Sequence, residues 1–213
     1  PFNTSNIRIL GSASGGLLVA TYRKENTSIQ LIKPNSTITV IAFKQNMDVI
    51  NASLSEDNEL IHITERVRSR DQKIIFKSII YNIHSFMQYQ GDYYKEPIIG
   101  LFYGKPFQKN ENSKDYNYNL AFFSQGNNTL THFIVEITSK KLIKKQMKGL
   151  SNVKWFNIEQ KELLCYALLE NRNNYVFSEY QLTNDGMTLT KSFKINITEN
   201  AFLPSEFALL PNE

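Results

Sequence analysis

The sequence predicts an all-β fold: a β-propeller-like array of four-stranded antiparallel blades, about four of them, forming an incomplete part of a larger propeller. Three observations lead there. Residues 7–22, 49–64 and 153–168 each read as an apolar strand, a short polar turn and a second apolar strand, with turns GSASGG at Gly11–Gly16, SEDNE at Ser55–Glu59 and EQKE at Glu159–Glu162. A paired apolar step follows each turn, Leu17-Leu18, Leu60-Ile61 and Leu163-Leu164. The first two steps lie 43 residues apart and the third about 100 further on, close to two more units, and propeller blades recur every ~40–50 residues. Finally, runs rich in Ile, Val, Phe, Tyr and Thr alternate with polar turns, and none holds a 3.6-residue apolar period long enough for a helix.

Taken in order, these runs place strands over residues 6–10, 17–22, 28–32 and 37–43, with Asn26-Thr27 and Pro34-Asn35 as turns between them. Strands over 49–54, 60–66 and 73–83 follow, then 98–103, 118–123, 131–137 and 142–148, with Gln125-Gly126-Asn127-Asn128 as a turn. The last four cover 153–157, 163–168, 175–182 and 188–197, punctuated by residues 171–174 and by Asn184-Asp185-Gly186. Asn and Gly make turns because they tolerate positive φ, and Asp185-Gly186 is the strongest single hairpin signal. Fifteen strands at four per blade fall just short of four blades. Gly104–Asn117, GKPFQKNENSKDYN, is polar and without apolar periodicity, so it reads as a surface loop inserted in one domain spanning 1–213. Most propellers use more than four blades, and an open end exposes strand edges and apolar faces, so further blades are expected in a parent protein.

Composition sets the outer limits. Hydrophobic content of 41% is that of an ordinary globular chain, and the longest apolar run, Ile74–Ile83, is interrupted by Lys77, Ser78 and Asn82. No stretch approaches the ~18–20 apolar residues of a spanning helix. The opening PFNTSNIRIL has neither the basic nor the apolar region of a signal peptide, which suggests a piece of a longer chain. Cys165 is the only cysteine, so disulfides within the chain and cysteine-based metal sites are excluded and a reducing compartment is favoured. Six Asn-x-Ser/Thr sequons, at Asn3, Asn26, Asn35, Asn51, Asn127 and Asn196, point the other way. The chain is rich in Asn, Ser and Thr throughout, and Asn51 falls in an expected inner strand with no room for a glycan.

Catalytic templates find little purchase. GSASGG matches neither the nucleophile elbow nor the dinucleotide fingerprint, and no Lys-Ser/Thr pair follows it as a P-loop requires. His62, His84 and His132 are too scattered for a metal site; His62 reads as a half-buried strand histidine and His84 as lying at a strand end. Cys165, between Leu164 and Tyr166, reads as a small packed hydrophobe rather than a nucleophile. Acids gather in turns at Glu56, Asp57, Glu59 and Asp185, and a glycosidase would need two of them opposed across a cleft. The basic run KKLIKKQMK at Lys140–Lys148 reads as a solvated edge whose lysines discourage strand pairing. Its rival is an anionic surface, nucleic acid or lipid, for which no aromatic or glycine-rich motif provides support. No catalytic residue, metal or cofactor is expected.

The best interaction candidate is the aromatic stretch from Phe86 to Tyr118, interleaved with lysines. Within it, Tyr89, Tyr93, Tyr94, Phe102, Tyr103 and Phe107 are the expected partner surface. The plainer reading is that strands favour aromatics and that Tyr covers sheets amphipathically.

Three passages, VINASLSEDNELIHITERV at Val49–Val67, IIFKSIIYNIHS at Ile74–Ser85 and VKWFNIEQKELLCYALLENRN at Val153–Asn173, resemble the amino-terminal region of gamma-secretase-activating protein. NYNLAFFSQGNNTLTHFIVEI at Asn117–Ile137 and FKINITENAFLPSEFALL at Phe193–Leu210 are similar to later parts of that region. The resemblance implies a non-enzymatic scaffold belonging to a regulator of amyloid-β formation, on the cytoplasmic face of endomembranes and the trans-Golgi network. Through its parent protein it would engage gamma-secretase and the amyloid precursor stub. It implies no nucleic acid and no transmembrane segment, with peripheral membrane association compatible. In that family activity is attributed to a carboxy-terminal fragment, so no functional residue transfers to a position here. The alternatives are a WD40-like adaptor of an unrelated pathway and a carbohydrate-active or hydrolytic propeller with channel carboxylates.

Overall fold

The computed structural model describes residues 7–13, 15–23, 25–85, 87–108, 115–138, 142–159, 162–171 and 174–195. Every regular element among them is a strand, sixteen in all, arranged as four antiparallel sheets of four strands in sequence order. The first sheet holds β1 (Ile7–Ala13), β2 (Gly16–Arg23), β3 (Asn26–Lys33) and β4 (Ser36–Phe43). The second holds β5 (Val49–Leu54), β6 (Leu60–Arg68), β7 (Ile74–Asn82) and β8 (Gln88–Tyr94). The third holds β9 (Ile98–Gln108), β10 (Tyr116–Ser124), β11 (Thr129–Ile137) and β12 (Leu142–Leu150). The fourth holds β13 (Val153–Glu159), β14 (Leu164–Asn171), β15 (Asn174–Thr183) and β16 (Gly186–Ile195). Each sheet is a blade, and the three repeat units read from the sequence are the first hairpins of the first, second and fourth blades.

Neighbouring blades pack face to face, and each junction is its own core. Leu18, Ala20, Ile29 and Leu31 of the first blade meet Ala52, Ile61, Ile63 and Ile79 of the second. Leu60 and Ile80, on the second blade's other face, meet Phe102, Leu120, Phe122, Phe133 and Val135 of the third. Tyr103, Ala121, Phe123 and Leu130 meet Val153, Ile158, Cys165, Ala167 and Tyr180 of the fourth. Period-two alternation explains this: Leu60 and Ile61 are adjacent in β6, so they point to opposite faces and enter different cores. An interior blade is apolar on both faces and reads as a paired step rather than as strict alternation.

Side chains join the inner strands across these junctions. Asn51 Nδ2 donates to the Leu10 carbonyl (3.3 Å) while its Oδ1 accepts from the Gly100 amide (3.3 Å), linking β5 to both neighbours. Phe102 N donates to Ser53 Oγ (2.9 Å), and Thr64 Oγ1 donates to the Ile98 carbonyl (3.1 Å). With its amide committed to two backbones, Asn51 cannot carry a glycan. Asp48, in the connection to β5, accepts from Arg8 Nη1 and Arg66 Nε, each at 2.6 Å, tying the first two blades at that end.

Two sequence expectations need correction. The strand β8, QYQGDYY, was not anticipated; it is polar and interrupted by Gly91, and it exists because it pairs along β7, Ile80 against Tyr89 and Phe76 against Tyr94. The expected loop 104–117 is shorter, since Gly104–Gln108 belong to β9, Tyr116 and Asn117 begin β10, and Tyr116 pairs with Gln108. Ladder hydrogen bonds extend this hairpin beyond the core without needing an apolar period. Residues 109–114, with Lys109 and Lys114, lie outside the described residues. The hairpin expected at Asn184-Asp185-Gly186 does form there, with Asn184-Asp185 as its turn and Gly186 (φ 135°) paired to Thr183. Also outside the description are Asn3, Phe86, Lys140 and Asn196.

Candidate functional site

The six aromatics expected to form one partner surface are divided between core and surface. Phe102 and Tyr103 lie in β9, between two junctions, and are only 3% and 2% exposed. Phe102 packs into the second junction and Tyr103 into the third, so neither belongs to a surface. Tyr93 is exposed on β8, while Phe107 is half-buried in the β9 extension.

Tyr89 and Tyr94 serve a different purpose, around Lys144 of β12. The Lys144 Nζ lies 4.6 Å from the ring centre of Phe133, 4.9 Å from Phe122 and 5.4 Å from Tyr89, and pairs with Asp92 Oδ2 at 2.6 Å. Tyr94 OH donates to that same oxygen (3.2 Å) and its ring lies beside Phe122. The Lys144 side chain is 3% exposed. Burial alone would raise the Asp92 carboxyl, but the hydrogen bond and charge of Lys144 outweigh it and hold the group below the usual carboxylate value. Burial raises the Tyr94 phenol, and Asp92 adds to the effect. The lysine run read as a solvated edge therefore contributes one member to the interior, where it links the rim of the second blade to the third. Lys145 follows the expected pattern and pairs with Glu136 at the surface (2.6 Å).

The same junction opens at one end into a cleft of about 490 Å³. Its second-blade wall is the β5–β6 and β7–β8 turns with Asp57, Glu59, His84 and Met87; its third-blade wall includes Tyr116 and Tyr118. Asn58 adopts positive φ (62°), which an Asn tolerates, and so sets the SEDNE turn. Ser55 Oγ (2.7 Å) and the Glu59 amide (3.1 Å) donate to Asp57 Oδ1, while Tyr118 OH donates to Oδ2 (2.8 Å). Asn82 Nδ2 donates to Glu59 Oε2 (2.8 Å), and Asn82 Oδ1 accepts from the His84 and Ser85 amides. Burial, then the Asp57 hydrogen bond and charge, raise the Tyr118 phenol and keep it a donor. Both carboxylates are thus fixed by neutral donors, and among the described residues neither is paired with Lys or Arg. Asp57 and Glu59 belong to one turn, so this pair is not opposed across the cleft as glycoside hydrolysis requires.

The remaining candidates are interior. His62 is completely buried, more deeply than expected. Its Nε2 shares a hydrogen bond with Ser78 Oγ (3.1 Å), and its ring meets Phe122 edge-on at 5.0 Å. Gly100 faces the ring so closely that a Cβ there would run into it. Burial, and secondarily the Lys144 charge, lower the His62 pKa to about 3. His132 shares a hydrogen bond with Asn119 Oδ1 (3.1 Å), and burial lowers it to about 4. His84 lies in the turn after β7, at the cleft. Burial pushes the Cys165 thiol up to about 12, unsuited to nucleophilic work. No group of three or more His, Cys, Asp or Glu among the described residues has the geometry to hold a metal, and no helix there is long and apolar enough to cross a membrane.

Neither protein-family models nor curated protein sequences match the chain. Among solved structures, the WD40 domain of SCAP from fission yeast is similar over 91% of this chain and 42% of that one, with a TM-score of 0.52 and 10% identity. The WD40 domain of Toxoplasma gondii coronin aligns over 88% of this chain and 44% of its own, at 0.42 and 9%. An oligogalacturonate lyase in complex with manganese aligns over 81% and 63%, at 0.32 and 7%. The chain spans less than half the length of these two WD40 domains, and what it shares with the SCAP domain is the propeller-type blade array.

Proposed function

We propose that this chain is a non-enzymatic protein-interaction scaffold that receives a basic side chain from an extended partner segment in the cleft between the second and third blades. One observation carries the reading: Asp57 and Glu59 are held in place by Tyr118, Ser55 and Asn82, all neutral, in a cleft whose other walls include Met87, Tyr116 and Ile137. A fixed carboxylate pair beside apolar and aromatic surface suits the ammonium or guanidinium end and the methylene stem of Lys or Arg. The cleft draws on the Phe86–Tyr118 stretch, though through Met87, Tyr116 and Tyr118 rather than the six aromatics expected.

The finer reading is a part of a gamma-secretase-activating-protein-like regulator of amyloid-β formation at the cytoplasmic face of endomembranes and the trans-Golgi network. The five passages resembling that family support it, as does a blade array suited to docking. Fluorescence anisotropy with lysine-rich and glutamate-rich peptides of equal length tests the cleft. Binding of the basic peptide alone, weakened about tenfold or more in Asp57→Asn with Glu59→Gln, is expected for paired charge contacts; equal binding by the double variant refutes it. Co-precipitation of the parent protein with gamma-secretase and the amyloid precursor stub tests the regulator reading separately.

A further inference from the structure

Between β6 and β7 the stretch RVRSRDQKI, residues 66–74, holds four basic residues, Arg66, Arg68, Arg70 and Lys73, against one acid, Asp71. Glu65 is the last residue of β6 to pair with β5, and Phe76 is the first of β7 to pair with β8. Beyond them the two strands run on together, Val67 against Ile75 and Arg68 against Ile74, so the tip of this hairpin projects past its neighbours. The turn is closed by its own bonds: the Ser69 amide donates to the Lys73 carbonyl (2.8 Å), the Gln72 amide to the Ser69 carbonyl (3.0 Å) and the Lys73 amide to Ser69 Oγ (3.2 Å). Arg66 is tied to Asp48, whereas among the described residues Arg68, Arg70 and Lys73 have no ion pair, and all three are exposed. Ile74 beside them is 52% exposed.

Because successive strands alternate in direction, the connections at 44–48 and 95–97 return to the same end as this turn and bring exposed Lys44 and Lys95 there, with Glu96 beside Lys95. A fixed cationic tip with an exposed isoleucine matches the headgroup layer of an anionic bilayer, where guanidinium and ammonium groups meet lipid phosphate and carboxylate and a branched alkyl side chain enters the acyl boundary. Nucleic acid fits less well: residues 66–74 include no aromatic ring for a base to stack on, and Ile74 would stay in water. We propose that the β6–β7 hairpin docks this chain on anionic lipid membranes. The inference stands apart from the cleft reading. β6 begins beside Asp57 and Glu59 and ends at the tip, so a docked chain holds the cleft away from the headgroups by the length of that strand, roughly 30 Å.

Vesicle sedimentation with the whole chain tests this, comparing pure phosphatidylcholine with phosphatidylcholine containing about 30% phosphatidylserine at about 0.1 M salt. Binding to the anionic vesicles alone is expected. Each basic residue at such a surface raises partitioning about fivefold, so Arg68→Glu with Arg70→Glu and Lys73→Glu lowers it at least about a hundredfold. Lys33→Glu with Lys105→Glu, at the opposite end of the strands and beyond the screening length, leaves it within about twofold. Ile74→Cys carrying an environment-sensitive dye, attached selectively because Cys165 is buried, shifts its emission to the blue on anionic vesicles. Equal binding to both kinds of vesicle overturns the proposal, as does a folded turn variant that binds like the original, an equal loss from the opposite-end variant, or a dye that stays in water on bound protein. Tighter binding to a DNA duplex than to the vesicles at the same salt identifies nucleic acid as the partner and overturns it too.

Discussion

Acidification from pH 7.5 to 5.0 is expected to destabilise this protein through two buried histidines. His62 and His132 are both fully buried, and each has one ring nitrogen in a hydrogen bond while Nδ1 has no partner among the described residues. Burial lowers their pKa values to about 3 and about 4, whereas in the unfolded chain both return to about 6.5. Below pH 6.5 the unfolded state therefore binds protons that the folded state refuses. Stability present above pH 6.5 is lost as pH falls toward the folded values. At about 1.4 kcal/mol per pH unit per histidine, the loss by pH 5.0 is about 2 kcal/mol each, or about 4 kcal/mol together. That is a large share of the ~5–15 kcal/mol typical of a domain. Urea unfolding followed by circular dichroism at pH 7.5, 6.5, 5.5 and 5.0 measures it, with His62→Gln and His132→Gln each expected to halve the pH slope whatever they do to stability at pH 7.5. A midpoint that stays constant from pH 7.5 to 5.0, or a double variant that keeps the full slope, would refute the reasoning.

Other expectations follow from single contacts. Lys144→Ala removes an ammonium from three aromatic faces and should cost about 2 kcal/mol, read as a lower urea midpoint; an unchanged midpoint would mean the ion pair with Asp92 is energetically idle. Gly100→Ala forces a methyl into the His62 ring and should destabilise by about 1–3 kcal/mol, with the imidazole NMR signals of His62 shifted and those of His132 left in place. The buried Cys165 thiol should resist a thiol-specific reagent under native conditions and react at the rate of unfolding; prompt stoichiometric labelling would contradict its position.

The blade repeat was legible because its signal is local. Leu60 and Ile61 are adjacent strand residues that enter opposite cores, a pattern fixed by strand geometry; Leu17, beside buried Leu18, is exposed, and Leu163 sits at positive φ in the turn before β14. The strand Gln88–Tyr94 lacked any such signal, since an outermost strand is held by its ladder to β7 and needs no apolar period of its own. The interior place of Lys144 was equally hidden. In sequence it is one lysine among several, and only the meeting of β8, β10, β11 and β12 gives it three rings and a carboxylate. Phe102 and Tyr103 misled for the opposite reason: aromatics near lysines look like a surface until both sides of β9 are seen to be packed. The cleft is assembled from turns of two blades, so Asp57 and Tyr118, sixty-one positions apart, show no relation until the chain is folded.

The contacts made by Asn51 and Ser53 bear on how such an array could change over time. Adjacent inner strands are spaced by an amide and a hydroxyl rather than by a continuous ladder, so the angle between modules is adjustable one side chain at a time. Duplication or loss of a whole module would then leave every remaining hairpin intact, and a lineage could alter the number of modules in the array by editing a few short polar residues on the innermost strands.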